Sequence, residues 1–334
     1  MMKINQKFCF VAKANCYGLG VKLCSYFNND VDYFAVSSYY EFVKIKKYVT
    51  KPILILDPVF NKKQLIYLIN NDAELTVSNL DNLRLLINLS NMLNKKIKIH
   101  IAINTGMNRL GFKENKDLVD LTNLVEKTQN IKIKGIFSHY FQANNKKNDK
   151  TQINLLKNAV NIIETQLNIS PLIHICSSDG VINYNYGDMV RVGYGIYSDK
   201  IYETITLKSK IIDIQNLVKN EIAGYNGVFV SNTKTKIAVV SIGYGDGLFR
   251  NIASKGYVLI NDNFAKIVAS CMDTIIVDIS NVDCKINDDV IIIGKCQNNK
   301  ISICDIARFC DTIGYEIIVR LSDRIKRKYK IKNN

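Results

Sequence analysis

The sequence predicts an α/β protein: a (β/α)8 TIM-type barrel over residues 1–205, followed by a mostly antiparallel β domain over residues 206–334. Three observations predict it. Short apolar runs alternate with amphipathic stretches through the first part of the chain, as in a parallel α/β fold. Eight such runs can be counted, enough to close a barrel rather than leave an open sheet. After about residue 205 the texture changes to closely spaced β-type runs joined by short polar turns.

The expected barrel strands are Phe8–Lys13, Tyr33–Ser37, Ile53–Asp57, Glu74–Ser78, Ile97–Asn104, Ile131–Ser138, Leu172–Cys176 and Met189–Gly193. Amphipathic stretches separate most of them. Leu80–Leu93 is the clearest, with Leu83, Leu86, Ile87 and Leu93 on one face. No Gly-x-Gly-x-x-Gly follows the first strand, which weighs against a dinucleotide-binding sheet. In the second domain the expected strands are Leu207–Ile214, Thr235–Ile242, Gly256–Ile260, Ala265–Ser270, Thr274–Ile279, Asp289–Gly294 and Tyr315–Leu321. Only Ser302–Cys310 reads as helical there, with Ser302 as N-cap and Asp305 in the capping-box position.

Composition narrows the function classes. A hydrophobic fraction of 47% fills a core, and no apolar run reaches the length of a membrane span or a signal-peptide core, so a soluble cytoplasmic protein is expected. The nine cysteines show no Cys-x-x-Cys spacing, and His100, His139 and His174 do not fall beside them at zinc spacing. Reduced thiols and no metal site are expected. The net charge of +15 raises a nucleic-acid reading. The lysines, however, are scattered beside abundant Ile and Asn, as compositional drift in an AT-rich genome produces. The one dense basic run is the tail, Arg324 to Lys332. No nucleic-acid or membrane partner is expected, although anionic ligands gain from the positive field.

In a (β/α)8 barrel the chemistry lies at the C-terminal ends of the strands, with phosphate often bound after strands seven and eight. The polar residues just past the expected strands are Lys13, Arg109, His139, Ser177 with Ser178, and Arg191 with Gly193. Lys13 stands out. A lysine at a barrel mouth is partly desolvated, which favours the neutral, nucleophilic amine. From position alone, a snorkelling strand-end lysine is the better explanation. His139 in Ser-His-Tyr is as readily a packed, hydrogen-bonded residue as a catalyst.

Beyond position, the segment VAKANCYGLG resembles the cofactor-lysine motif of alanine racemases. The resemblance continues in order through NTGMNRLGF, SHY, HICSSDG, VRVGYGIYS, AGYNGVF, SIGYGDGLFR, SCMDTIIVD and IGYEIIVRLSDRIKRKY, and covers nearly the whole chain. It implies pyridoxal 5'-phosphate carried by Lys13, with Tyr17, Ser178, Gly193 and Tyr194 on its phosphate, the last two by backbone amides. It implies Arg191 against the pyridine nitrogen, His139 in support beneath the cofactor, and Arg109 on the substrate carboxylate. Met272, Asp273 and Tyr244 are implied at the substrate side, Tyr244 at its entrance.

Lys13 and Tyr225 are implied as the two bases on opposite faces of the substrate. Inverting a carbon centre needs an acid on one face and a base on the other, and tyrosine, with an ordinary pKa near ~10, needs positive charge nearby to serve. Tyr225 belongs to the β domain and in that family reaches the partner's barrel. A homodimer with shared sites is therefore implied, making D-alanine for peptidoglycan. Arg191, always charged, disfavours protonation of the pyridine nitrogen and so limits side reactions.

Three departures from the family pattern stand out. The stretch before the lysine strand is shorter than usual. The position of a carbamylated lysine that supports the substrate arginine is Ala102, so Arg109 is expected to lean on Asn104, an anion or water. The position of a phosphate-binding tyrosine is Asp323, expected to turn away and pair with Arg324 or Arg327. These departures motivate a serine/alanine racemase of broader specificity, or a homologue that binds cofactor without turnover. A single-domain cofactor-binding barrel would lack the β domain with Tyr225, Met272 and Asp273, and the same residues weigh against a decarboxylase of similar architecture.

Overall fold

The structure, a computed structural model, describes residues 6–143, 145–178, 180, 186–197 and 204–330. The chain divides into two compact units, the first of Met1–Cys16 and Gly20–Gly195, the second of Tyr17–Leu19 and Ile196–Asn334. Of the basic tail, Ile331 and Lys332 lie outside the described residues.

In the first unit the eight expected strands are all present: β1 Lys7–Val11, β2 Tyr33–Val36, β3 Ile53–Ile55, β4 Glu74–Val77, β5 Ile97–Ala102, β6 Ile131–Phe137, β7 Leu172–His174 and β8 Met189–Val192. They form one parallel sheet in the order β7-β6-β5-β4-β3-β2-β1-β8. Its two edges meet, because Arg191 N–H donates to Cys176 O at 3.0 Å and Asp188 N–H to Ile173 O at 2.7 Å. Each strand stops one or two residues before the end expected from sequence. The closing polar residue of most runs, such as Lys13, Ser37, Asp57 or Ser138, lies past the last strand residue, at the C-terminal end.

The intervening helices bury one apolar stripe each. Leu80–Leu93 starts where the Asn79 side chain accepts from Asn82 N–H and ends at Asn94 in the left-handed region, with φ 49°. Leu83, Leu86 and Leu89 reach its core face, while Ile87 and Leu93 are half-buried at its margin.

The second unit holds β9 Leu207–Leu217, β10 Ile222–Ala223, β11 Phe229–Val230, β12 Thr235–Val240, β13 Tyr257–Ile260, β14 Asn263–Ser270, β15 Ile275–Asp278, β16 Asp289–Cys296 and β17 Asn299–Ile301. The order β13-β14-β15-β12-β9-β16-β17 is antiparallel throughout, and pairing of β13 with β16 closes the sheet on itself. β10 and β11 form a separate two-stranded hairpin. Ser302 and Asp305 make the expected capping box on the helix Ile303–Phe309.

One expected strand is a helix. Tyr315–Leu321 reads as β because of its β-branched residues, but Gly314–Val319 is helical, with Glu316 N–H donating to Ile313 O and Arg320 N–H to Glu316 O. Burial of the neighbouring pair Ile317 and Ile318 overrides a β-propensity that context often reverses. The run is also too short to show a helical period.

Candidate active site

Lys13 follows β1 and is half-buried. Behind it lies an unusual turn. Ala14, Asn15, Cys16 and Tyr17 all have φ between 49° and 57°, one left-handed helical turn without a glycine. Left-handed backbone costs roughly 1–2 kcal/mol per L-residue, so such a turn persists only where its surroundings hold it. Here they do. The Glu41 carboxylate accepts from Ala14 N–H at 2.7 Å and from Ser37 N–H at 2.8 Å. Asn15 accepts from Gly20 N–H through its carbonyl and from Val21 N–H through Oδ1. Gly18, at φ 79°, closes the turn where an added Cβ would lie 1.9 Å from Ile318 O.

Arg191 is the most enclosed cation of this end of the sheet, 6% exposed. Its Nη1 donates to His174 Nδ1 at 2.6 Å and to His174 O at 3.1 Å. Its Nη2 donates to Ser138 O at 2.7 Å, to Ile175 O at 3.3 Å and to His139 Nδ1 at 3.3 Å. Nε–H takes no hydrogen-bond partner among the described residues. Burial lowers the Arg191 pKa to about 10, which leaves it charged at neutral pH. Burial, together with Arg191, Arg109 and Lys13, lowers His139 to about 3, so that ring is neutral and accepts at Nδ1.

Ser178 Oγ accepts from Gly193 N–H at 3.3 Å and Gly195 N–H at 3.2 Å. An added Cβ on Gly195 would sit 2.5 Å from Ser178 Cβ, so this cradle of amides and hydroxyl tolerates no side chain there. Arg109 and His139 line one small cavity with Ala102, Asn104, Phe137 and Ser138. Arg109 is exposed and makes no hydrogen bond or ion pair to the described residues. The expected support from Asn104 is absent. Its Oδ1 instead accepts from Gly106 N–H and Asn108 N–H, and its Nδ2 donates to Asn108 Oδ1, so its amide ties down the loop that precedes Arg109. Asp57, which sequence reasoning did not single out as a site residue, shares the field of Lys13 and Arg109. Desolvation raises its pKa, against the downward pull of those two cations.

The second unit gathers the remaining candidates. Tyr225 begins a single turn, Tyr225–Gly227, between β10 and β11 and is 68% exposed. Ala223 and Phe229, paired below the turn, anchor it against Leu217, Ile237 and Ile276. Gly224, at φ 81°, abuts Ala269 Cβ too closely for any side chain. Tyr244 N–H donates to Cys271 O and Gly245 N–H to Met272 O, which fastens the Tyr244 turn to the Met272–Asp273 loop. Arg324 braces both, with Nη2 2.7 Å from Asp273 Oδ1 and Nε 3.3 Å from Asp246 Oδ1. Asp323 turns outward as expected, 3.7 Å from Arg327 Nη1.

Among the described residues no cluster of His, Cys, Asp and Glu is arranged to hold a metal ion, and no helix is long and apolar enough to cross a membrane. The nine cysteines are free thiols.

Comparison with known proteins agrees with the resemblance. The model of the alanine racemase N-terminal domain matches residues 1–200, and that of the C-terminal domain matches residues 204–329. The alanine racemase of Clostridium perfringens (strain SM101 / Type A) is 32% identical over 348 residues, covering 97% of this chain and 89% of the relative. The structure of the Clostridium difficile 630 alanine racemase in complex with cycloserine superposes with a TM-score of 0.85 at 26% identity, over 97% of this chain and 88% of that one. That of the Bartonella henselae alanine racemase with covalently bound pyridoxal phosphate gives 0.86 at 25% identity, over 98% and 93%. With both domains matched in order along its length, the chain belongs to the alanine racemase family and is an isomerase of the racemase type.

Proposed function

We propose that the chain interconverts L- and D-alanine with pyridoxal 5'-phosphate held on Lys13, as a cytoplasmic homodimer that supplies D-alanine for peptidoglycan. The observation that carries the reading is the left-handed turn at Lys13. Four strained residues clamped by Glu41 and Asn15 are a device for fixing one side chain at the barrel mouth.

The residues fit the cofactor. Lys13 offers an amine, the Gly193 and Gly195 amides converge on one oxygen, Ser178 Oγ, where a phosphate oxygen would take its place, and Arg191 offers one uncommitted N–H. Tyr17 and Tyr194 are buried residues assigned to the phosphate, Tyr194 by its backbone amide. Once bound, pyridoxal phosphate supplies the electron sink that makes a substrate Cα proton removable.

The protein's own tasks then divide. Arg109, without partners of its own, takes the substrate carboxylate. Arg191 remains a donor held in place by His174 and neutral His139. Lys13 handles the Cα proton on one face and Tyr225 on the other. Met272, Asp273 and Tyr244 border the substrate, Asp273 being steadied by Arg324. The exposure of Tyr225 at a rigidly anchored hairpin tip supports its use in the partner subunit's site.

A second reading, turnover of serine beside alanine, is favoured by Ala102 and by Asp323, whose side chain faces solvent where the family commonly has a tyrosine. A D-amino-acid-oxidase-coupled assay with L-alanine and L-serine tests both. D-alanine formation is expected to exceed D-serine formation. No D-amino acid from either substrate would overturn the assignment.

A further inference from the structure

Four buried side chains form a continuous file across the first unit from β4 to β8. Glu74 Oε2 lies 2.7 Å from His100 Nε2, His100 Nδ1 lies 3.0 Å from His174 Nε2, and His174 Nδ1 lies 2.6 Å from Arg191 Nη1. Glu74 is 1% exposed and both histidines are fully covered.

Donor logic places each proton. A guanidinium only donates, so His174 Nδ1 accepts from Arg191. Burial, with Arg191 and His100 beside it, holds His174 well below the ordinary histidine range, so the ring is neutral and its single proton is on Nε2. That proton goes to His100 Nδ1. His100 then carries its own proton on Nε2 and donates it to the Glu74 carboxylate. An obligate donor at one end and an acceptor at the other leave one arrangement with every bond made.

The sheet is shaped around this file. His100 on β5 reaches His174 on β7 across the intervening strand β6. The β5–β6 register shifts between Ile99 and His100, so that Gly135 comes opposite His100. A Cβ at Gly135 would lie 2.3 Å from His100 Nδ1. Phe137 stacks on His174 with ring centroids 5.1 Å apart and lies beneath Arg191, whose Cζ is 5.4 Å from its centroid.

We infer that Glu74 is a positioning residue for Arg191, acting through His100 and His174: its carboxylate sets both rings as Nε2–H tautomers, so that His174 always offers Arg191 an acceptor. The plane of the guanidinium is thereby fixed, with Nη1 and Nη2 committed inward and Nε–H left as the outward donor. The catalytic consequence rests on the proposed placement of Arg191 at the cofactor's ring nitrogen.

The test begins with the cofactor-free protein labelled with 15N at histidine. The chain has three histidines, so the spectrum is readable. All three rings are expected as Nε2–H tautomers with an accepting Nδ1, in the wild type and in Glu74→Gln, whose amide oxygen still accepts. Glu74→Leu is expected to lose this pattern at His100 and His174. In the loaded enzyme Glu74→Leu is expected to lower kcat by about 10–100-fold, the usual worth of an outer-shell partner, with KM unchanged and Glu74→Gln restoring most of the loss. An Nδ1–H tautomer at His100 or His174 in the wild type, or wild-type kcat in Glu74→Leu, would overturn the inference. Should Glu74→Leu fail to fold, the wild-type and Glu74→Gln spectra decide it. Because tautomers are read without cofactor, an enzyme that does not racemise and a file with the wrong protons give different results.

Discussion

Burial and one shared guanidinium hold two histidines neutral: Arg191 Nη1 lies 2.6 Å from His174 Nδ1 and Nη2 lies 3.3 Å from His139 Nδ1. Each ring accepts from a cation and is shielded from water, so neither readily takes a proton in the folded state. His139 falls to about 3 and His174 well below its ordinary value of 6.5.

This has a consequence for stability. Between the depressed folded values and 6.5 the unfolded chain binds protons that the folded chain does not, so stability is lost as pH falls below about 6.5. Each such histidine contributes a slope of about 1.4 kcal/mol per pH unit in that window. Urea unfolding of the cofactor-free protein at pH 7 and pH 5 is expected to show a clear loss at pH 5, and His139→Gln a shallower one. Equal stability at the two pH values would contradict the neutral-histidine assignment.

Gly135→Ala is expected to destabilise the barrel by about 1–3 kcal/mol, the usual cost of overpacking, because the new Cβ meets His100 Nδ1 at 2.3 Å and Leu172 O at 3.0 Å. Chemical denaturation measures it. A neutral substitution would mean that His100 has another place to go.

Tyr225→Phe removes one hydroxyl from an exposed hairpin tip and leaves the anchor of Ala223 and Phe229 in place. It is expected to cut racemisation by at least ~100-fold, the worth of a positioned acid or base, while cofactor absorbance and folding stay unchanged. Turnover near that of the wild type would remove Tyr225 from the chemistry.

Mixing Lys13→Ala and Tyr225→Phe subunits, each inactive alone, is expected to restore activity, because a heterodimer with shared sites has one intact site. The readout is D-alanine formation after subunit exchange has been verified by mass. No recovery would place both residues of a site in one chain.

Much of the fold is legible in the sequence because most barrel strands are apolar runs closed by a polar residue, and that residue is the one delivered to the mouth. Lys13 and Asp57, which share one field there, follow this rule. What escaped the sequence depends on partners distant along it. Ala14, Cys16 and Tyr17 carry no mark of a left-handed turn, since side-chain type alone assigns positive φ to Gly or Asn; Glu41 imposes it from 27 positions away. Asn104 looked available to Arg109, but nearer backbone amides claim it. Glu74 and His100 read as ordinary strand residues until the register shift opposite Gly135 brings His100 to His174, 74 positions on.

The measurement that tests the central claim most directly is incubation of the cofactor-loaded protein with L-alanine in D2O, followed by separation of the enantiomers and mass analysis at Cα. D-alanine carrying deuterium at Cα is the expected product, absent with Lys13→Ala. Unchanged, undeuterated L-alanine, or conversion to the keto acid without D-alanine, would contradict a racemase working through Lys13.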